Sequence, residues 1–305
     1  MRFFFIIFLF LLCFAAQAGD STQYSQSEII YGRKDGMALT MLKLTPKKSP
    51  NGKGIIRIVS GNWKTDYNRL LRSVDESELL LDAGYTVFAV MPSSQPMFTI
   101  LDEIGDCKRA VRFIRYHAKT YGIDPDRIGI TGASSGGHLS LMVATADKVE
   151  ANSADPVDKM SARVQAVVAF FPPVDFTRFG GANTYNAQMN QKILVFTGLA
   201  AAFDFKRWND STQTFTSISD AAQKKELAEA VSPLNFVTAD DPPTLIFHGD
   251  KDVLVPMMQS KYIIEKFNQV KVPNELVIRN GAGHGWKLNA DEEKKMVGWF
   301  DKYLK

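Results

Sequence analysis

Cysteine is nearly absent from this chain. Only two of its 305 residues are cysteine, and one of them, Cys13, lies in an apolar leader. Cys107 then stands alone, so no internal disulfide can form and the fold must be stable without one. A chain of this length can meet that demand by burying a large core. Histidine is scarce too, with four, and the chain has no H-x-x-x-H or C-x-x-C pairing, which argues against a catalytic metal. No sign of charge dominates. The formal net charge is +3, and the basic residues are scattered or paired, as in Lys47-Lys48 and Lys294-Lys295. That distribution reads as solvated surface rather than a nucleic-acid footprint. Repeats, low-complexity tracts and long charge blocks are missing. The one long apolar run, Phe3 to Phe14, is too short for a comfortable membrane span. With Arg2 before it and Ala16-Gln17-Ala18 after it, it reads as a secretory signal over residues 1–18, cleaved after Ala18. The small residue a lipoprotein signal needs just before Cys13 is absent. The expectation is a secreted or periplasmic protein with no membrane span after signal removal.

What the chain does have is short apolar runs alternating with helical periodicity. Ile29 to Leu44 reads as an antiparallel hairpin turning at Asp35-Gly36. Gly54 to Ser60, Tyr85 to Met91, Arg127 to Thr131, Val164 to Phe171, Thr244 to Phe247 and Glu275 to Ile278 read as buried strands. Leu70 to Ala83 reads as a helix stopped by Gly84, and Leu101 to Tyr121 as one closed by Gly122. Pro256 to Val270 and Ala290 to Leu304 read as the last helices. This alternation predicts an α/β fold with a mostly parallel sheet covered on both faces. Residues 176–230 break the rhythm and are too long for a simple connection. Helical patches there lie near Lys192–Phe203 and Asp220–Ala230.

The most informative stretch is Gly132-Ala133-Ser134-Ser135-Gly136, a G-x-S-x-G between a predicted strand and a predicted helix. That context is a nucleophile elbow, a turn so sharp that the serine Oγ is left exposed above the sheet. Gly132 and Gly136 are needed there because a Cβ would collide with the adjoining strand and helix. Two further loops follow strands. One carries His248-Gly249-Asp250-Lys251-Asp252 ahead of Val255-Pro256, and the other is Gly281-Ala282-Gly283-His284-Gly285-Trp286. Ser134, Asp252 and His284 occur in the Ser…Asp…His order of α/β-hydrolases. Each lies just past the C-terminal end of a predicted strand, the edge where open α/β sheets bind ligands. His138, in the helix after the elbow, and His248, at a strand end, read as structural. His117, Asp106 and Arg112 read as packing, ion-pair or capping residues on their helix.

Through GASSGGHLS, SPLNFV, DDPPTLIFHGDKDVLVP and GAGHGW, the chain resembles the esterase/lipase branch of the α/β-hydrolases. Within that branch it is similar to secreted carboxylesterases related to feruloyl and acetyl esterases and to prolyl oligopeptidase catalytic domains. The resemblance runs from about Ile55 to Trp286. It implies an α/β-hydrolase domain over residues 19–305, with residues 176–230 as a lid-like insertion. It also implies Ser134 as nucleophile, His284 as base and Asp252, three residues before Val255, as the acid in preference to Asp250. One departure is plain. The family has HGGGW after the first central strand, where this chain has Ser60-Gly61-Asn62-Trp63. The Ser135 N–H and that of Gly61 or Asn62 are then the expected oxyanion donors. Asparagine tolerates the left-handed backbone that glycine would supply.

The function expected is a serine carboxylic ester hydrolase acting through an acyl-enzyme on small to medium esters. No cofactor is needed, and the expected partner is a small-molecule ester substrate. Trp63, Pro172 and Trp286 are candidate substrate-pocket residues. A serine peptidase of the same fold and a non-catalytic hydrolase-fold binding protein are the alternatives.

Overall fold

A strand buried on both faces must be apolar at every position, and a strand with one face buried only at alternate ones. This chain contains both kinds, and they set its sheet. A computed structural model of the protein describes residues 23–146, 152–179, 195 and 200–305. The leader read over residues 1–18 lies outside the described residues.

Strands β1 (Tyr24–Lys34) and β2 (Met37–Pro46) form the expected hairpin, with Asp35-Gly36 at its turn. Strand β3 (Gly54–Ile58) follows, then the short helices α1 (Tyr67–Arg72) and α2 (Glu78–Asp82), then β4 (Thr86–Val90). Helices α3 (Ile100–Tyr116) and α4 (Ala118–Tyr121) precede β5 (Ile128–Ala133), helix α5 (Ser135–Thr145) and β6 (Ala166–Phe170). The inserted segment contributes helix α6 (Ala200–Phe203), strands β7 (Lys206–Asn209) and β8 (Thr214–Ser217), and helix α7 (Ala221–Ala230). Strand β9 (Thr244–Gly249), helix α8 (Met258–Gln269), strand β10 (Asn274–Arg279) and helix α9 (Ala290–Tyr303) complete the chain.

Eight strands join in the order β1-β2-β4-β3-β5-β6-β9-β10. From β4 to β10 every neighbouring pair is parallel, and only β2 runs antiparallel to both its neighbours. Successive side chains of a strand point to opposite faces, and the core divides accordingly. Ile56, Ile58, Phe88, Val90, Val167, Ala169 and Ile246 pack on one face, under α3, α5 and α8. Ile55, Val87, Ala89, Ala166, Val168, Leu245 and Phe247 pack on the other, under α1, α2 and α9. Among the described residues, no helix is long and apolar enough to cross a membrane.

Three expectations need correction. The single helix read over Leu101–Tyr121 is α3 and α4, interrupted at His117. The single helix read over Leu70–Ala83 is α1, a 3₁₀ turn at Asp75–Ser77 and α2. Serine hydroxyls inside the run bond to the backbone, Ser73 Oγ to the Leu70 carbonyl and Ser77 Oγ to that of Ser73. Such bonds compete with the helix ladder and break it. In the insertion the sequence predicts no strands, yet residues 206–217 pair as a hairpin with Trp208 edge-on against Phe215. One large aromatic in each short strand, Trp208 and Phe215, flanks the polar turn Asp210-Ser211-Thr212-Gln213, where the Asn209 side chain accepts two backbone N–H groups. Much of the helical patch near residue 192 lies outside the described residues. The patch near residue 220 is α7, with Asp220 as its N-cap. Phe176, Phe179, Ala202, Ala228 and Val231 tie the insertion into the α5-side core.

Candidate active site

The site begins at the junction of β5 and α5. Ser134 stands between them at φ 56°, ψ −120°, a conformation a non-glycine residue adopts only when its surroundings impose it. The imposing contacts are backbone. A Cβ on Gly132 would come to 2.4 Å from the Gly136 carbonyl oxygen, and one on Gly136 to 2.7 Å from that of Ile58. Neither neighbour can retreat without moving a strand or a helix. Gly132→Ala is therefore expected to cost at least about 1–3 kcal/mol, the usual range for overpacking. Gly105→Ala on α3, where a Cβ meets nothing within 4 Å, is expected to gain about 0.5–1 kcal/mol. Urea unfolding of both variants checks the pair, and equal effects contradict the reading of the elbow.

Three loops at the carboxyl edge of the sheet converge on Ser134. Its Oγ lies 2.9 Å from His284 Nε2, and His284 Nδ1 lies 2.7 Å from Asp252 Oδ2. The other oxygen, Asp252 Oδ1, accepts the N–H groups of Leu254 and Val255, both at 2.9 Å. Burial pushes the Asp252 carboxyl up. Hydrogen bonds from His248, His284 and the Val255 N–H outweigh burial and hold it well below the usual carboxylate range. Asp252 is thus a fixed negative charge beneath the imidazole. Asp250 takes a different place: its Oδ1 accepts the Gly281 N–H at 2.6 Å and so braces the loop that carries His284. Gly249 lets that loop lie close, since a Cβ there would sit 2.3 Å from the Ala282 carbonyl oxygen.

The loop in the place of HGGGW is a tight turn closed by two bonds, Gly61 N–H to the Lys64 carbonyl and Lys64 N–H back to Gly61, both at 3.0 Å. Gly61 was one of two alternatives for an oxyanion donor. Its N–H is spent inside its own turn. Asn62 has φ 56° and Trp63 φ 52°, both left-handed. Ser135 is the first residue of α5, where an N–H has no acceptor within the helix. Ser60 Oγ and Ser135 Oγ lie 3.0 Å apart, joining the turn to the elbow.

The pocket candidates divide. Trp63 is 1% exposed and packed in the core, so it is not an open wall. Pro172 is buried as well and packs over Gly137. Trp286 is half-buried with its ring 5.5 Å from that of Phe171, and Phe171 lies 4.6 Å from the His284 ring. Phe171, which the sequence places only at the end of a strand, is therefore the aromatic in contact with the candidate base. His117 sits among Phe113, Tyr116 and Tyr121. Asp106 Oδ2 accepts the Ser93 N–H at 2.9 Å. His248 is buried, with Nδ1 2.7 Å from Ser260 Oγ and Nε2 2.8 Å from the Val255 carbonyl, and so steadies the Asp252 loop. Among the described residues no three His, Cys, Asp or Glu side chains converge as a metal-ligand set.

His138 is fully buried, and burial pushes its imidazole down to about 4, against the opposing bond to the Val231 carbonyl. In the unfolded chain a histidine titrates near 6.5. Between about 4 and 6.5 the unfolded state binds the extra proton, so stability falls as pH falls through that window and is unaffected by this group above it. The full loss is about 3 kcal/mol. Unfolding free energies at pH 7 and pH 4.5 are expected to differ less in His138→Gln than in the wild type, and an unchanged difference contradicts the assignment.

Residues 42–267 match the model of the BD-FAE family. The chain is 31% identical over 216 residues to the probable carboxylic ester hydrolase LipM of Mycobacterium tuberculosis, covering 71% of this chain and 45% of that protein. It is 27% identical to esterase LipQ of the same organism, covering 77% and 51%. The chain thus spans about half the length of these curated relatives. Among solved structures, a truncated carbohydrate esterase from gut microbiota superposes with a TM-score of 0.74 at 24% identity, over 93% of this chain and 98% of that one. That likeness establishes the α/β-hydrolase fold.

Proposed function

The chain belongs to the BD-FAE family, and on that premise we propose that it is a serine carboxylic ester hydrolase working through an acyl-enzyme. The observation that carries the proposal is the continuous chain of contacts from Ser134 Oγ to His284 to Asp252, at 2.9 and 2.7 Å. Ser134 Oγ attacks the ester carbonyl carbon while His284 Nε2 takes its proton. The tetrahedral intermediate collapses as the C–O bond breaks, and the same proton passes to the departing alcohol. Water, deprotonated by His284, then attacks the acyl-serine; as the acyl C–Oγ bond breaks His284 returns that proton to Ser134 Oγ, and the carboxylic acid is released. Asp252, ionised and held by two backbone N–H groups, fixes the tautomer that leaves Nε2 free to accept and stabilises the imidazolium that forms. The N–H groups of Asn62 and Ser135 are assigned to the oxyanion.

The relatives named as ester hydrolases support an ester as substrate; that it is small to medium, and that the insertion over residues 176–230 is lid-like, belong to the same proposal and rest on the resemblance of the sequence. Export through the leader read over residues 1–18 belongs to the same proposal: N-terminal sequencing of the exported protein is expected to begin at Gly19, and a protein that keeps the leader contradicts it. A panel of nitrophenyl esters from acetyl to palmitoyl, with acetylated sugars, feruloyl esters and peptide amides, tests the function. Ester turnover that is lost in Ser134→Ala supports the proposal, whereas turnover of the amides alone overturns it. Asn62→Gly presents the same N–H from a residue at ease at φ 56°, so kcat is expected to stay within about tenfold of wild type. A collapse in kcat would assign the role to the asparagine side chain instead.

A further inference from the structure

Two consecutive non-glycine residues hold left-handed backbone in the turn beside the elbow, Asn62 and Trp63. A bulky residue with positive φ persists only when its surroundings over-determine it. Backbone bonds supply part of this: the Trp63 carbonyl accepts the Gln95 N–H at 3.0 Å. The rest comes through the side chain. The Trp63 indole N–H donates to His138 Nδ1 at 3.0 Å, and the ring meets His138 and Phe176 edge-on at 5.5 and 5.4 Å. An indole N–H can only donate, so His138 Nδ1 must be the accepting nitrogen and Nε2 must carry the hydrogen. That hydrogen is aimed at the Val231 carbonyl oxygen, 2.7 Å from Nε2. The backbone N–H of His138 donates to the Ser134 carbonyl at 2.9 Å. One buried imidazole therefore joins the turn, the elbow helix and the end of the insertion, and nothing in the hydrolytic steps uses it.

We propose that His138 is a positioning residue for the oxyanion hole, holding the Asn62–Trp63 turn through the Trp63 indole N–H so that the Asn62 N–H faces the reacting carbonyl. The proposal rests on the hydrolytic reading above. A misplaced oxyanion donor weakens the transition state more than the ground-state ester. Loss of the indole bond must therefore appear in kcat and leave KM nearly unchanged. A side chain that only supported the fold would instead lower the fraction of working enzyme.

Trp63→Phe keeps an aromatic ring and removes the donor. Its kcat per active site, with sites counted by phosphonate titration, is expected to fall about tenfold to a hundredfold, below the 10²- to 10³-fold typical of a donor lost outright. KM is expected to stay within about threefold. Affinity for a trifluoromethyl ketone, whose adduct carries the oxyanion, is expected to fall by the same factor as kcat. His138→Gln offers an acceptor to the indole and a donor to Val231, so it is expected to retain most of kcat, whereas His138→Leu behaves like Trp63→Phe. Wild-type kcat per titrated site in Trp63→Phe or in His138→Leu overturns the proposal. So does a loss confined to the titratable fraction or to KM, or a His138→Gln protein no better than His138→Leu. If Trp63→Phe does not fold, the two His138 variants alone decide it. Failure of the underlying reading shows separately, as ester hydrolysis that survives Ser134→Ala.

Discussion

Replacing Ser134 with alanine is expected to lower kcat for ester hydrolysis by about 10⁶-fold while leaving the protein folded. The size follows from the role. With the nucleophile gone, no acyl-enzyme forms, and the residual rate comes only from binding and the oxyanion donors. The fold should survive because the strain at this position lies in the backbone, at φ 56°, and alanine carries the same backbone through it. The Ser134 side chain contributes one contact, to His284, at a partly exposed position. Circular dichroism and urea unfolding establish that the variant is folded. A folded Ser134→Ala protein that keeps more than a few per cent of the wild-type rate means another group is the nucleophile.

Asp252→Asn is expected to lower kcat by about 10⁴-fold, and Asp250→Asn by no more than about tenfold. In Asp252→Asn the Oδ1 atom can still accept from Leu254 and Val255, as it does now. The amide NH₂ then replaces Oδ2 and faces His284 Nδ1. Nδ1 must become the acceptor, Nε2 takes the hydrogen, and the imidazole can no longer accept a proton from Ser134. In Asp250→Asn the oxygen that receives the Gly281 N–H is kept by the amide, so the loop carrying His284 stays in place. Steady-state kinetics on one ester, with both variants shown to be folded, give the comparison. If the Asp250 variant is the more damaged, the acid must be reassigned.

How far the primary structure could be read depends on whether each feature is local. The elbow was legible because Gly132, Ser134 and Gly136 lie within five residues, and the glycines are demanded by contacts inside that turn or with the next strand. The parallel sheet was legible because strands buried on both faces must be continuously apolar, and Ile128–Ile130, Ala166–Ala169 and Thr244–Phe247 are buried throughout. The choice between Asp250 and Asp252 rested on resemblance. Two carboxylates two residues apart look alike until the chain folds and one oxygen meets an imidazole while the other meets a backbone N–H. The use of the Gly61 N–H was not legible at all, since it depends on a turn closing onto Lys64. Whether Trp63 lines the pocket or packs in the core is undecided in the sequence for a related reason. A tryptophan beside a catalytic loop looks like a pocket wall, and only the position of His138, on a distant helix, shows that it is turned inward. The insertion hairpin at 206–217 is not legible because its strands are four residues long and mostly polar.

The most direct test of the central claim is to trap the acyl-enzyme. The wild-type protein is mixed with a nitrophenyl ester, quenched in acid within the burst phase and digested, and the peptides are mapped by mass. The account predicts one acyl group per chain, on the peptide containing Ser134, appearing as fast as the first equivalent of nitrophenol. It predicts no adduct in Ser134→Ala. Full ester turnover with no adduct on that peptide, or with an adduct on another residue, would contradict it.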